Sequence, residues 1–556
     1  MLVTRLTSSL EKIFPDTNPA DLPALSHIRA LRGERISAQL SIMYEPYTPE
    51  LGYPRRAPLI LGGSLAPYAT VRQVMFVPVN KTLHPLGADD NYSRTKLGLF
   101  PDILRPLYYG GKVTLTHDMT QTVWVEIALP EDAPVGEGTL TLSLDYGEFG
   151  QCCETLTVDV IGATLPREGI DVTQWFHADC LANYYNVEVW SDRHFEIVEA
   201  FARTAVRGGI NTLLTPIFTP PLDTAVGGER RTTQLVGITR CGGEYTFDYT
   251  LLDRWIDMCD RVGIKNLEIA HFFTQWGAAH APKIMATVDG EYKKLFGWET
   301  DATGEEYATF LRALIPSLLA HLKARGDDRR CFFHISDEPN IDHLENYRAA
   351  RAIVAPMLEG YVIMDALSRY DFYKQGIVDH PVPASNHIEP FLEGGVPDLW
   401  TYYCVSQPLE VSNRYDSMPG WRNRSMGMQM YVHNIAGFLH WGYNFYSNQY
   451  SGDPINPYYE QSADHAFPGG DAFSVYPAMD GTALESPRFL VFFEGLQDIR
   501  AMRLLEGYIG REATVALVKD AFGGEITFRT CAKDGATVLR VREAVNAAIA
   551  KAVAGA

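Results

Sequence analysis

Apolar and polar positions follow two different periods along the chain. From about residue 30 to 165, segments such as Arg35–Ile42, Thr70–Val77, Gln121–Ile127 and Gly138–Leu144 alternate apolar and polar residues. Turn-rich pieces such as Pro130–Gly138 separate them. A period of two buries one face of a strand, and short strands divided by regular turn signals predict a β-sandwich. Met1–Phe14 reads as a short amphipathic helix leading into it, and Tyr92–Leu104 as an irregular loop. These elements make up a first domain over residues 1–165.

From residue 166 the period changes to strand, then helix, repeated. Strands are predicted at Gly169–Asp179, Ile210–Phe218, Ile264–Phe273, Arg330–Ser336, Tyr361–Leu367, Ala384–Ile388, Asp398–Val405 and Phe438–Phe445. Helices are predicted at Asp192–Arg207, Tyr249–Val262, Glu305–Arg325, His343–Leu358, Ser425–Ile435 and Ser486–Tyr508. Eight strands alternating with helices are the pattern of an α/β fold, a (β/α)8 TIM-type barrel, here over residues 166–510. The sixth strand is the weakest of the eight. The remaining stretch, 511–556, is expected to add a small strand and an Ala-rich helix packed on the barrel.

Barrel active sites gather where strands end and the following loops begin. The predicted ends present His177 and Asp179 on the first strand, and His271, Gln275 and Trp276 on the third. Asp337 and Glu338 end the fourth and Asp365 the fifth. Tyr402 and Tyr403 come from the seventh, and Trp441, Tyr443 and Asn444 from the eighth. Carboxylates, amides, imidazoles and aromatics on one face suit a sugar pocket better than a phosphate site. The sharpest element is Cys331-Phe-Phe-His-Ile-Ser-Asp-Glu-Pro-Asn340, an apolar strand running into two adjacent carboxylates. Pro339 ends its ladder because it cannot donate a hydrogen bond. Ordinary glycosidases set two carboxyls about 5–10 Å apart across the scissile bond. An adjacent Asp-Glu pair suits substrate assistance instead, in which a 2-acetamido group is the nucleophile. Asp337 would then orient the amide and Glu338 act as acid and base.

Composition narrows the partners. The net charge of −20 argues against nucleic acid and anionic membrane surfaces, both of which reward clustered Lys and Arg. A neutral small saccharide or glycoconjugate is the expected partner, with a homo-oligomer left open. The N-terminus has no apolar stretch of signal-peptide type, and no window approaches the roughly 18 apolar residues of a membrane span. The eight cysteines are scattered, with no CxxC pair, which fits free thiols in a reducing compartment and a cytoplasmic location. The spacing of His177, His271 and His280 demands no metal, and no cofactor is expected. Gly469-Gly-Asp-Ala and Gly242-Gly-Glu lack the spacing of nucleotide loops and read as turns. Asp453–Tyr459 reads as a long loop over the pocket.

The motif ending in Asp337-Glu338-Pro339 resembles the catalytic region of glycoside hydrolase family 123, the β-N-acetylgalactosaminidases. So do Asp398–Cys404, Gly437–Asn444, Gly469–Pro477 and Glu485–Arg500. The resemblance spans about residues 166–510, and a preceding β-sandwich suits the family. It implies retaining, exo-acting release of terminal β-linked N-acetylgalactosamine (GalNAc) through an oxazoline-type intermediate. Asp337 would be the amide-orienting residue and Glu338 the acid/base, with Tyr402, Trp441 and Tyr443 around the acetamido group or sugar ring. Two further readings stay open. One is a retaining glycosidase for another sugar with Asp365 as a separate nucleophile, for which a carboxyl separation of about 5 Å from Glu338 is required. The other is a carbohydrate-binding barrel without catalysis.

Overall fold

The computed structural model describes residues 1–45, 54–107, 110–117, 119–339 and 341–555. Alternation at the N-terminal end yields two packed sheets. One has five antiparallel strands in the order Leu2–Ser8, Arg35–Tyr44, Gln121–Ala128, Ala69–Val79 and Gly98–Pro106. The other sets His27–Arg32 beside Gln151–Thr164, Gly136–Asp145 and Ile60–Gly62. Leu40, Val123 and Val125 of the first sheet meet Leu140, Leu156 and Val158 of the second in one core. Trp124, Val74, Val77 and Ile103 belong instead to the core shared with the barrel. The five-stranded sheet is thus buried on both faces, one on the sandwich and one on the barrel.

Two expectations here are corrected. The leading segment is a strand, not a helix, because the open edge of Arg35–Tyr44 pairs with Leu2–Ser8 in full register. Backbone pairing to an existing edge outweighs a short helix with no partner of its own. The expected loop at Tyr92–Leu104 turns into an edge strand from Gly98 onward, paired with Ala69–Val79. Pro101 in that segment masked the signal, and a proline is tolerated on an edge.

The eight barrel strands are Asp171–Gln174, Thr212–Thr215, Asn266–Ile269, Cys331–Phe333, Val362–Ala366, His380–Val382, Trp400–Tyr402 and Gly437–His440. Numbered along the chain, they lie in the order six, five, four, three, two, one, eight, seven, all parallel. The ring nearly closes at the seam between six and seven, where Ala384 bridges Tyr402 and the Tyr402 N–H reaches Pro383 O at 3.2 Å. The sixth strand comes before its expected position. Pro381 and Pro383 hid it, and a strand at the seam has a side on which missing N–H groups cost little.

Two hairpins were not foreseen. Gly237–Cys241 with Glu244–Asp248 follows the second strand, and Ile284–Val288 with Glu291–Phe296 follows the third. They join through Thr239 and Thr287 into one four-stranded sheet. Their turns are Gly242-Gly243 and Asp289-Gly290, residue pairs that accept the positive φ of tight hairpins. At the C-terminus the expected strand gives way to two helices, Arg511–Phe522 and Gly535–Ala554. The second lies against both the helix Pro487–Ile509 and the sandwich strands Gln151–Thr164 and His27–Arg32.

Buried charge clasps sandwich to barrel. Asp102 receives both Nε (2.7 Å) and Nη2 (2.6 Å) of Arg488, which opens the helix Pro487–Ile509. That helix also crosses Gly420–Val432 at backbone contact: a Cβ on Gly427 would lie 2.2 Å from Gly495 O. Gly427→Ala should therefore cost about 1–3 kcal/mol through overpacking, read as a lower urea midpoint. Gly507→Ala, where an added Cβ meets nothing within 4 Å, should be neutral or stabilising by up to about 1 kcal/mol. Equal effects at both positions would contradict the close crossing.

Candidate active site

The fourth strand, Cys331–Phe333, continues through the buried His334 and Ile335 and then opens into Ser336, Asp337 and Glu338 at the rim of the barrel. Asn340, the last residue of that motif, lies outside the described residues. A cavity of about 220 Å³ opens here, lined by Asp337, Glu338, Trp276, Tyr402 and Trp441, with Trp175, Asp223 and Phe467 among its other walls. Larger cavities exist, including one of about 460 Å³ at the opposite end of the barrel. The chemistry of its lining singles this one out.

Glu338 is exposed to the cavity and its Oε1 accepts a 2.5 Å hydrogen bond from the Tyr402 hydroxyl. Its backbone sits at φ +44°, in the left-handed region that non-glycine residues rarely occupy. Across the cavity Trp276 has φ +58°, and its N–H donates to Asp337 O at 2.9 Å. Two adjacent turns therefore hold uncommon backbone conformations joined by one hydrogen bond, as is frequent where a loop positions reactive groups. Asp337 keeps part of its surface open to the cavity while protein surrounds the rest. That desolvation pushes its carboxyl well above the usual range; the charge of Glu338 adds to the push and His334 opposes it. The Asp337 carboxyl thus takes up a proton more readily than a solvated one would.

Beneath Asp337 lies a fully buried charge network. His334 Nε2 meets Glu268 Oε1 at 2.8 Å, and its Nδ1 lies 3.4 Å from Asp365 Oδ1. Glu268 is held by the Trp175 Nε1–H at 2.8 Å and by the Thr173 hydroxyl. Asp365 accepts from the Ile335 N–H at 3.0 Å and from the Tyr347 hydroxyl. Burial alone would lower the His334 imidazole. The hydrogen bonds and charges of Asp365 and Glu268 outweigh it and carry it up to about 10, so it is an imidazolium at neutral pH. His271 stacks on His334 at 4.4 Å and is pushed well down, by burial first and then by that charge. His271, His334 and Asp365 bring three ligand-type atoms within 4.8 Å of one another. With both nitrogens turned to carboxylates, His334 offers no lone pair to a metal, so the donor set fits an ion network better than a metal centre.

Of the other residues predicted for the site, Gln275, Trp276, Tyr402 and Trp441 line the cavity with the dyad. Trp276 stands edge-on to Tyr450 at its mouth, ring centroids 5.9 Å apart. The Trp441 indole N–H is fixed by Asp471 Oδ2 at 2.9 Å. Burial pushes that carboxyl up to about 7, against the pull of Arg414 and the indole hydrogen bond.

His177, Asp179 and Asn444 sit behind the wall. The first strand stops at Gln174, which places Asp179 in a short helix, Ala178–Tyr184. Arg230 grips Asp179 through Nε at 2.8 Å and Nη2 at 2.6 Å and donates to the Leu222 carbonyl. His177 Nε2 lies 3.0 Å from Trp441 O, and Asn444 accepts from the His177 N–H at 2.8 Å. His271 and Asp365 belong to the layer beneath the dyad. Tyr403 and Tyr443 are buried away from the cavity, their hydroxyls on Asn423 and on Phe201 O, both at 2.9 Å. Tyr402 and Tyr403 part company because successive side chains of a strand face opposite ways.

Asp223 was not anticipated. It lies in the loop after the second strand, at φ +41°, with Oδ2 accepting from the Tyr450 N–H at 3.0 Å. Burial raises its carboxyl to about 6, offset by that N–H and by Arg230. Pro220-Pro221 marked a loop there, but an acid at a loop tip is a common surface feature and carried no signal of its own.

The glycoside hydrolase 123 catalytic domain matches residues 175–505. The whole chain is similar in structure to a family 123 glycoside hydrolase from Clostridium perfringens, described in connection with glycolipid glycan hydrolysis. The TM-score is 0.76 at 15% identity, covering 100% of this chain and 99% of that one. At that identity the likeness is one of fold. A family 39 glycoside hydrolase from Bacteroides cellulosilyticus WH2 is similar at TM-score 0.33 and 9% identity, covering 88% of this chain and 82% of that one, too low to carry an argument. No curated protein matches the chain.

His334→Gln should cost about 3–5 kcal/mol, the range for breaking a buried ion pair, seen as a lower thermal midpoint. Because the folded imidazole titrates near 10 and an unfolded one near about 6.5, its stabilisation is complete below about pH 6.5. It is lost as pH rises toward 10. Wild type should therefore lose stability relative to His334→Gln between those values, and parallel pH profiles would contradict a buried imidazolium.

Proposed function

The chain belongs to glycoside hydrolase family 123, and on that premise we propose that it releases terminal β-linked GalNAc with retention of configuration, by substrate assistance. The observation that carries this reading is the adjacent pair Asp337–Glu338 on the cavity, with Asp365 withdrawn from it. Asp365 is fully buried and bound by His334, Ile335 N–H and the Tyr347 hydroxyl, so it has no free face for an anomeric carbon. That argues against it as a separate nucleophile.

The chemistry follows from the charges. A bound 2-acetamido group donates its N–H to Asp337, and a hydrogen bond to the ionised form favours that form. With Asp337 committed to the amide, Glu338, the carboxyl exposed to the cavity, serves in its acid form as the general acid. The acetamido carbonyl oxygen attacks C1 as the C1–O bond to the aglycone breaks, and Glu338 protonates the departing oxygen. Asp337 stabilises the positive charge that develops on the oxazoline-type ring. Water, deprotonated by Glu338, then attacks C1 from the face the aglycone left as the C1–O bond of the oxazoline-type ring breaks and its electron pair returns to the acetamido group, so configuration is retained. Tyr402 holds Oε1 of Glu338 and leaves the other oxygen for the transfer. Trp441 and Phe467, ring centroids 5.2 Å apart, supply an apolar wall that would strengthen these interactions by excluding water. The link of the Clostridium perfringens relative with glycolipid glycans supports a sugar at the end of a glycoconjugate.

One observation favours a second reading. Asp223 is a further carboxylate on the same cavity, as a retaining glycosidase with its own nucleophile requires; on the first reading it binds a sugar hydroxyl.

Glu338→Ala and Asp337→Ala should each lower kcat/KM on an aryl β-GalNAc by at least about 100-fold, the range lost with a general acid–base group. Asp223→Asn should act mainly on KM. Aryl β-galactoside, which lacks the acetamido group, should resist wild type. Its cleavage, together with loss of kcat in Asp223→Asn, would replace substrate assistance by the second reading.

A further inference from the structure

The barrel floor, at the opposite end from the dyad, holds a cavity of about 460 Å³. It is bounded by the segments that precede the first three barrel strands, including Gly169, Gly209 and Gly263. The sandwich strand Arg35–Tyr44 and the helix Pro487–Ile509 complete it. Among the described residues its walls carry Arg35, Arg167, Arg207 and Arg500 and no Asp or Glu. In a chain of net charge −20, a lining with four guanidinium groups and no carboxylate runs against composition.

The pairing of these arginines is incomplete. Arg167 pairs with Glu131 at 2.6 Å. Arg207 pairs with Glu126 and Glu485, and Arg72 claims the same two carboxylates. Arg35 and Arg500 form no ion pair among the described residues. Arg35 gives one nitrogen to the Arg207 carbonyl, while its Nη1 is buried without a hydrogen-bond partner. Arg500 has a single long contact, Nε to Leu496 O at 3.4 Å. Both guanidinium groups lie over the Phe493 ring, at 3.9 and 5.2 Å from its centroid. Two partly buried guanidinium groups share one ring and neither has an ion-pair partner among the described residues, a costly arrangement in a low-dielectric setting unless an anion completes it. Burial pushes both down to about 10; Arg207 adds to the push on Arg35 and Arg542 to that on Arg500, against the pull of nearby glutamates.

We propose that this floor cavity binds a phosphate group, with Arg35 and Arg500 as its principal ligands. A dianionic phosphate matches two guanidinium groups that lack an ion-pair partner, and their planar forks match its oxygens bidentately. The volume admits a phosphomonoester with a small organic group as well as free phosphate. Because the site is walled by sandwich, barrel and closing helix together, its occupant ties the three units and stabilises the folded chain by linkage. The site is separate from sugar cleavage at the other end of the barrel.

The test uses the full chain, titrated by calorimetry with sodium phosphate and with a hexose phosphomonoester, and melted in phosphate against chloride at matched ionic strength. Saturable binding of one equivalent is expected, with a thermal midpoint that rises with phosphate but not with chloride. Arg500→Gln and Arg35→Gln should each weaken binding at least tenfold, and Asp337→Asn should bind as wild type does. If Arg35→Gln fails to fold, Arg500→Gln alone carries the comparison. A phosphomonoester tenfold tighter than free phosphate identifies an organic phosphate as the occupant; equal affinities identify the inorganic ion. Absence of binding by either probe, or wild-type affinity in Arg500→Gln, would overturn the proposal.

Discussion

At the centre of the barrel a protonated histidine is held between two buried carboxylates. His334 follows the end of the fourth strand, three residues before Asp337, with Glu268 of the third strand on one nitrogen and Asp365 of the fifth near the other. This one ion array links three neighbouring strands beneath the dyad. Removing the proton, or pulling the imidazolium away from its partners, would leave two carboxylates in the interior with no cation between them, so the strands cannot slip relative to one another without large cost. The same cation opposes further elevation of the Asp337 carboxyl. The support of the site and its electrostatics are thus one feature.

Above this layer the loops hold uncommon backbone angles at Trp276 and Glu338, and such geometry persists only where the surroundings over-determine it. Those surroundings reach far from the cavity. Asp471 fixes the Trp441 indole, Arg230 and Asp179 brace the loop that carries Leu222, and the Asp102–Arg488 pair fastens the closing helix to the sandwich. The N-terminal sheet, buried on both faces, acts as a wall for the barrel as well as half of a sandwich.

Much of this was legible in the sequence. The switch from period two to strand–helix alternation near residue 166 reports two kinds of core, and it located seven of the eight barrel strands. Asp337 and Glu338 stood out because an apolar strand running into two acids and a proline has few purely structural explanations. What escaped depended on partners distant in sequence. The Leu2–Ser8 strand exists because another strand offers an edge, and the sixth barrel strand because a seam tolerates its prolines. His177, Asp179 and Asn444 look the same on paper whether they touch a sugar or brace a wall. Arg230, invisible as a partner in the sequence, holds His177 and Asp179, and the His177 backbone in turn holds Asn444. Asp223 was missed for the converse reason: only the fold brings its loop against Tyr450 and the cavity.

The central claim is that the substrate's own acetamido oxygen attacks C1. Aryl β-GalNAc substrates carrying zero, one, two or three fluorines on the acetyl methyl test it most directly, because each fluorine weakens that oxygen as a nucleophile and scarcely alters size. The account predicts a steep, stepwise fall in kcat/KM along the series. A flat series would contradict it and assign the attack to a carboxylate of the protein.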